Sequence, residues 1–220
     1  MRVTYEDVKR SEEIRTYITQ ADASLIALGY TEHSFAHVTR CAEVAGDLLA
    51  ELGYDEHQIE LCKIAAYMHD IGNVVNRHDH NVSGATMAFR ILDKMGMEPP
   101  DVAAVITAIG HHDDSTAYPV NAIAAALILA DKTDVRRSRV RNKDMSTFDI
   151  HDRVNYSVER SEVLLDLPGR TVTLSLSINT EVCAVMDYFE IFLQRMLLSR
   201  KAAETLDLKF RLEINGQILL

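Results

Sequence analysis

Apolar positions follow a helical period through the first two-thirds of the chain and then switch to strict alternation, so the pattern predicts a run of helices followed by a small mixed unit. Residues 5–28 read as one helix, charged on one side and ending near Gly29. Thr31 or Ser34 can open a second helix, whose stripe of Val38, Cys41, Ala42, Ala45, Leu48, Leu49 and Leu52 is stopped by Gly53. Asp55 caps a third, running through Ile59, Leu61, Ile64, Ala65 and Met68 to His69 and Asp70. Further helices are expected over 81–95, stopped by Gly96 and Pro99-Pro100, over 101–111, and from 120 to 137 with an Ala-rich centre. Beyond residue 145, Val163, Leu165 and Leu167 and then Val172, Leu174, Leu176 and Ile178 alternate around Pro168-Gly169, a hairpin signal. Pro-Gly is not the favoured two-residue turn for a hairpin. A helix over 180–206 and a strand through Phe210, Leu212 and Ile214 follow. The expected fold is mostly α: a helical bundle over 1–145 with a small α+β (ββαβ) domain over 146–220.

Composition narrows the class. A chain of 220 residues, 47% hydrophobic, can bury a core as one or two domains. Its net charge of −10 argues against a nucleic-acid or membrane-surface partner, because neutralising many phosphates calls for a basic face. A small phosphorylated ligand stays compatible, since bound cations can reverse the local potential. Cys41, Cys62 and Cys183 are odd in number, widely spaced and in apolar helical contexts, so they read as buried free thiols. The N-terminal stretch has no apolar signal-peptide core, and no apolar run approaches the ~20 residues of a membrane-spanning helix. A soluble cytoplasmic protein is expected.

The chemistry sits in a series of metal-ligand side chains: His37, the adjacent pair His69 and Asp70, His80, the pair His111 and His112, and Asp131. Imidazole with carboxylate is the donor set of Zn, Fe, Mn and related divalent ions. Any one of these histidines alone would read as structural or solvated. Together they fall at helix ends or on one helix face, so several helices can aim them at one point. Adjacent ionisable pairs suit an apolar bundle core poorly unless coordination offsets their burial. The order therefore reads as a two-metal hydrolytic centre, in which two ions about 3.5–4 Å apart hold a bridging hydroxide and clamp a phosphoryl oxygen. Adjacent helical residues point about 100° apart, so His111 and His112 can face one metal only where the helix ends. The segment DDSTAYP supplies such an end; otherwise one of the two serves behind the ligands or toward substrate.

The stretches HVTRCAEVAGDLLAELG, AAYMHDIGN, HNVSGA, IGHH and ALILADKTD resemble the successive motifs of the HD-domain metal-dependent phosphohydrolase superfamily, over roughly residues 30–140. The resemblance implies an HD-domain helical bundle. It also implies a first metal site of His37, His69, Asp70 and Asp131, with Asp70 bridging to a second completed by His80, His111 and His112. Two divalent ions are implied, of the Fe, Mn, Zn, Co or Mg kind, and a small phosphorylated substrate, a nucleotide for preference. Asn73 stands where many two-metal relatives carry the lysine of HDIGK, and the glycine-rich DGxGYP segment of cyclic-di-GMP phosphodiesterases is absent, with only Tyr118-Pro119 in its place. Those departures argue against cyclic-di-GMP while leaving a general phosphoester hydrolase.

Around this set, Asp70, His33 and Lys132 are the candidate catalytic groups and Arg40, Arg77 and Arg136 the candidate substrate-binding ones. His33 lies four residues before His37 and shares its helix face if the helix has begun there. Lys132 follows Asp131 and can reach a phosphate. Arg40 resembles an arginine often found there in the family, and a salt bridge is its plain alternative; Arg136 belongs to a basic run that also suits a solvated face. Two other functions compete: a di-iron oxygenase similar to myo-inositol oxygenase, whose ligand order is nearly the same, and a metal-binding regulatory module whose ββαβ piece contacts a partner. An exposed hairpin edge can pair with another chain, so a homodimer is expected.

Overall fold

The computed structural model describes residues 3–114 and 116–219. Its N-terminal part is helical, in the order α1 (Tyr5–Arg10), α2 (Glu12–Ala27), α3 (Phe35–Glu51), α4 (Glu56–Met68), α5 (His80–Lys94), α6 (Pro99–Gly110) and α7 (Ala122–Lys132). The C-terminal part comprises α8 (Ile150–Ser157), β1 (Val158–Asp166), β2 (Thr171–Ile178), α9 (Val185–Thr205), β3 (Lys209–Ile214) and β4 (Gln217–Ile218). The overall expectation of a helical bundle with a small α+β piece holds.

The single helix expected over 5–28 is two. Ser11 sits extended between them, and its side chain accepts from Ile14 N, which starts α2 afresh. Ser34, not Thr31, caps α3, accepting from Ala36 N. Asp55 caps α4 by accepting from Gln58 N. The helix expected to run to Arg137 stops at Lys132, where Thr133 caps it. Its side-chain hydroxyl turns back onto Leu129 O at 2.6 Å, a bond that competes with helical continuation.

In the C-terminal sheet the strand order is β1-β2-β3-β4. β1 and β2 form the expected antiparallel hairpin, with Val163 opposite Leu174 and Leu165 opposite Val172. Residue Arg170 takes the left-handed conformation (φ 47°) that lets the Pro-Gly loop close. β2 and β3 are parallel, and α9 makes the crossover between them. Two elements were not expected from the sequence, α8 and the short β4, which follows a turn at Asn215 (φ 52°) and Gly216 (φ 78°). Apolar faces of both parts merge in one buried cluster, from Val38 and Ile64 through Leu127 to Tyr188 and Leu212, with α9 packed on α7. No described helix is long and apolar enough to cross a membrane.

Candidate metal centre

Helix ends deliver the candidate ligands. His37 lies in the first turn of α3, His69 caps the C-terminus of α4 with Asp70 next, and His80 opens α5. His112 follows the end of α6, and Asp131 lies in the last turn of α7. The short turn over Ile71–Val74 folds tightly against α5 because residue 72 is glycine. A Cβ there would lie 1.9 Å from His80 O and 2.5 Å from Gly84 N, so no larger residue permits that approach.

Asp70 stands at the middle, its two oxygens facing different imidazoles. Oδ2 lies 3.2 Å from His69 Nε2 and 3.7 Å from His37 Nε2, while Asp131 Oδ1 lies 3.3 Å from the same His37 atom. Oδ1 lies 3.6 Å from His80 Nε2, which is 3.2 Å from His112 Nε2. Donor atoms bonded at about 2.0–2.2 Å to one divalent ion stand roughly 3.0–3.5 Å apart, so these spacings suit shared ions. Asp70 Oδ2 and His69 Nε2 are buried without a hydrogen-bond partner among the described residues, which is how buried polar atoms look when their partner is a cation.

The imidazoles are also oriented alike. His69 Nδ1 faces Ala66 O at 2.7 Å, His80 Nδ1 faces Arg77 O at 3.0 Å and His112 Nδ1 faces Ile109 O at 2.6 Å, each three residues back along the chain. His37 Nδ1 instead meets Asp134 Oδ2 at 2.8 Å. With Nδ1–H donating in all four, the lone pair rests on Nε2, the atom that points into the cluster.

Electrostatics follow from burial and crowding. Burial pushes His112 well below its ordinary value, helped by the charges of His69 and Lys132. Burial also lowers His80, with Asp70 pulling the other way. At His69 burial lowers but the Asp70 and Asp131 carboxylates outweigh it, so that ring is raised. Burial opposes ionisation of Asp70 and Asp131, yet the imidazoles, and Lys132 beside Asp131, hold both well below the usual carboxylate range. Asp70 and Asp131 are thus carboxylates, and the lowered His80 and His112 keep their lone pairs, while a cation entering the cluster would displace the proton that neighbouring carboxylates favour on His69.

His37, His69, Asp70, His80, His112 and Asp131 come together in overlapping groups whose donor atoms lie within 4.8 Å of one another. His111 does not join any of them. It caps α6 in a non-helical conformation (φ −109°, ψ 16°), so the chain turns there and only His112 enters the cluster. His33 packs its ring 5.5 Å from that of His37 and lines a cleft beside the cluster. Arg77 lines the same cleft, reaching 3.2 Å to Asn73 Oδ1 and 3.4 Å to His80 Nε2.

Beyond His111, three expectations need correction. Arg40 and Arg136 do not face the cleft. Arg136 binds Asp134 through Nε and, at 2.9 Å, a terminal nitrogen; Arg40 Nε stands 3.4 Å from the same carboxylate and its Nη2 donates to Ser161 O at 3.0 Å. Asp134 is buried, and a buried carboxylate draws in the nearest cations. Lys132 is buried between Asp131 Oδ2 at 2.7 Å and Asp114 Oδ1 at 3.1 Å, so it acts on a candidate ligand and does not reach outward to a phosphate.

Other contributors escaped the sequence reading. Asp134 orients His37, and burial costs its ionisation less than the bonds from His37 and Arg136 return, so its carboxyl sits far below the usual range. Asn73 donates to Asp70 Oδ1 at 2.9 Å, a positioning role in place of the absent lysine's charge. Cys41 places Sγ 3.6 Å from His37 Nδ1, and burial pushes its thiol up. The cleft, about 270 Å³, is completed by Tyr30, Arg139, His151, Asn155, Phe192 and Arg195.

A fold of helix ends converging on a His/Asp cluster defines a class, and the family model of the HD domain matches residues 34–153. That is more than half of the chain, which belongs to the HD-domain family and so to a superfamily of metal-dependent phosphohydrolases. An uncharacterised protein of Methanocaldococcus jannaschii is 26% identical over 185 residues, covering 74% of this chain and 71% of that protein. Ribonuclease Y of Cutibacterium acnes is 27% identical over 158 residues, and that of Thermobifida fusca 32% identical over 116. These matches cover 72% and 51% of the chain but only 27% and 22% of the ribonucleases.

Proposed function

We propose that this chain is a phosphohydrolase that cleaves a nucleotide or other small phosphoester, with two divalent ions sharing Asp70. The observation that carries the reading is the division of Asp70: Oδ2 lies toward His37 and His69, Oδ1 toward His80, with His112 in the same group of donor atoms as Asp70 and His80. When bound, such ions supply Lewis acidity toward the phosphoryl group and a water acidified to near neutrality. The chain's own groups then hold substrate. Arg77, fixed by Asn73 at the edge of the cluster, offers its guanidinium to a phosphoryl oxygen. His33 is pushed well below its ordinary value by burial and the charge of Arg139, so at neutral pH it is an uncharged imidazole bordering the cleft.

A small substrate is favoured by the cleft, which is near the lower end of ligand pockets, roughly 300–1,000 Å³, and is walled by α8 and α9. The ribonuclease Y relatives favour RNA as a second reading. The test is metal analysis of untreated protein with a screen of aryl phosphates, nucleotides and a short RNA, each with manganese, cobalt or iron. Near two ions per chain and turnover of small esters, abolished by Asp70→Asn, is the expected result. Cleavage of RNA alone would transfer the reading to a nuclease, and no hydrolysis of any compound would overturn it.

A further inference from the structure

The cleft wall farthest along the chain from the HD motifs carries a cation that the metal-centred reading does not use. Arg195, on α9, lies outside the residues matched by the HD-domain model. Its Nε stands 3.2 Å from Asp114 Oδ2, and its guanidinium stacks 4.9 Å from the Phe192 ring centroid, which fixes its plane. Its terminal amino groups make no hydrogen bond among the described residues, and the side chain is 29% exposed at the cleft. Asp114 does not neutralise it alone, because the same carboxylate also holds buried Lys132 at 3.1 Å. Lys132 in turn is committed to Asp131, 2.7 Å away. The chain Arg195–Asp114–Lys132–Asp131 thus balances two cations with two carboxylates, and what Arg195 brings to the cleft is its unengaged terminal donors on a plane fixed by Phe192. Asp149 and Asp152 on the same wall are engaged in capping α8 and in accepting from Asn142 at 3.2 Å.

We propose that Arg195 is a specificity-determining residue that takes a second anionic group of the substrate, one remote from the phosphoryl group lying against the His/Asp cluster. The substrate class is then a small phosphoester carrying two separated negative groups, such as a nucleoside bisphosphate. The proposal rests on the phosphohydrolase reading for what happens at the cluster. A planar guanidinium with free terminal donors matches a phosphate or carboxylate in bidentate fashion, which a lysine does not.

The experiment is calorimetric titration of the protein as purified with adenosine 5′-monophosphate and with adenosine 3′,5′-bisphosphate, repeated on Arg195→Met and Arg195→Lys, each checked for a cooperative melt. Wild type is expected to bind the bisphosphate about tenfold or more tightly than the monophosphate, the ratio one charge-assisted hydrogen bond supplies. Arg195→Met should erase that preference and Arg195→Lys should recover only part of it. Equal binding of both compounds by wild type, binding of neither, or an equal loss for both in Arg195→Met overturns the proposal. Should the methionine variant fail to fold, the lysine variant decides: a full wild-type preference refutes the bidentate role. A retained preference in a protein that hydrolyses no phosphoester would instead overturn the catalytic reading alone.

Discussion

Asp134 offers the sharpest test of how the cluster is built, because it touches no substrate and yet binds four side chains. Its carboxylate is 1% exposed and receives His37 Nδ1 at 2.8 Å, Arg136 at 2.9 Å and Arg40 at 3.4 Å, with Arg139 at 4.0 Å. Asp134→Ala would leave a buried imidazole and neighbouring guanidinium groups without their anion, a loss of about 3–5 kcal/mol for a broken buried pair. For a chain of this size that is roughly 6–20 °C of melting temperature. Asp134→Asn keeps the shape and one acceptor but removes the charge, so its cost should be smaller, about 1.5–3 kcal/mol. Its more telling effect is on the ring: an amide oriented by Arg136 no longer holds His37 in one tautomer, and the affinity for a divalent ion should fall about 10- to 100-fold. Thermal denaturation in chelator separates the stability loss from the metal loss, and competition with a chromogenic chelator measures the latter. If Asp134→Asn folds and binds manganese within twofold of wild type, the orienting role is wrong and Asp134 serves only to gather arginines.

Gly72→Ala should destabilise by about 1–3 kcal/mol or more, since its Cβ would press on backbone atoms of α5 at 1.9 and 2.5 Å; urea unfolding and metal stoichiometry read the loss, and wild-type values for both would refute the close-packing argument. Chelation should lower the melting temperature of wild type, because an ion present at a hundredfold its dissociation constant adds about 2.7 kcal/mol of stability. Asp70→Ala should show no such response, and a melting temperature indifferent to chelator in both proteins would count against a metal-filled cluster.

Much of this arrangement was legible in the sequence because ligand types and apolar periodicity are local signals. The stripe from Val38 to Leu49 and the capping by Asp55 place His37 and His69 at helix ends without reference to the rest of the fold. The C-terminal hairpin was equally readable, since Val163 and Leu165 do pair with Leu174 and Val172. β4 had its own signal, the Asn215-Gly216 dipeptide, whose two left-handed residues suit a tight hairpin, but the two-residue strand after it shows no alternation to read. The misread parts depend on distant partners. Arg40 and Arg136 look like phosphate ligands until Asp134 is seen buried between them, and nothing near residue 195 announces a contact with Asp114, 81 positions earlier. His111 and His112 are equivalent in type, and only the turn at the end of α6 separates them.

The C-terminal unit matters to the centre for a related reason. Asp134 lies on the segment between α7 and α8, which lacks long regular structure and would not by itself hold a carboxylate in register with His37. The α+β part clamps it. Ser161 Oγ on β1 donates to Thr133 O at 2.9 Å, Ser161 O accepts from Arg40 at 3.0 Å, and Arg137 binds Tyr156 O through Nε. From the other side Arg139 bonds Asp134 O at 2.7 Å and Glu32 O at 2.9 Å, tying the segment to the loop before α3. Orientation of His69, His80 and His112 needs only a carbonyl three residues back, supplied by the same short stretch of chain. Orientation of His37 needs a carboxylate 97 positions away, and that one requires the whole chain to be folded. The His/Asp cluster is therefore local in three of its imidazoles and global in the fourth, so damage to the β1 contacts should reach the cluster through His37 before it reaches the other rings.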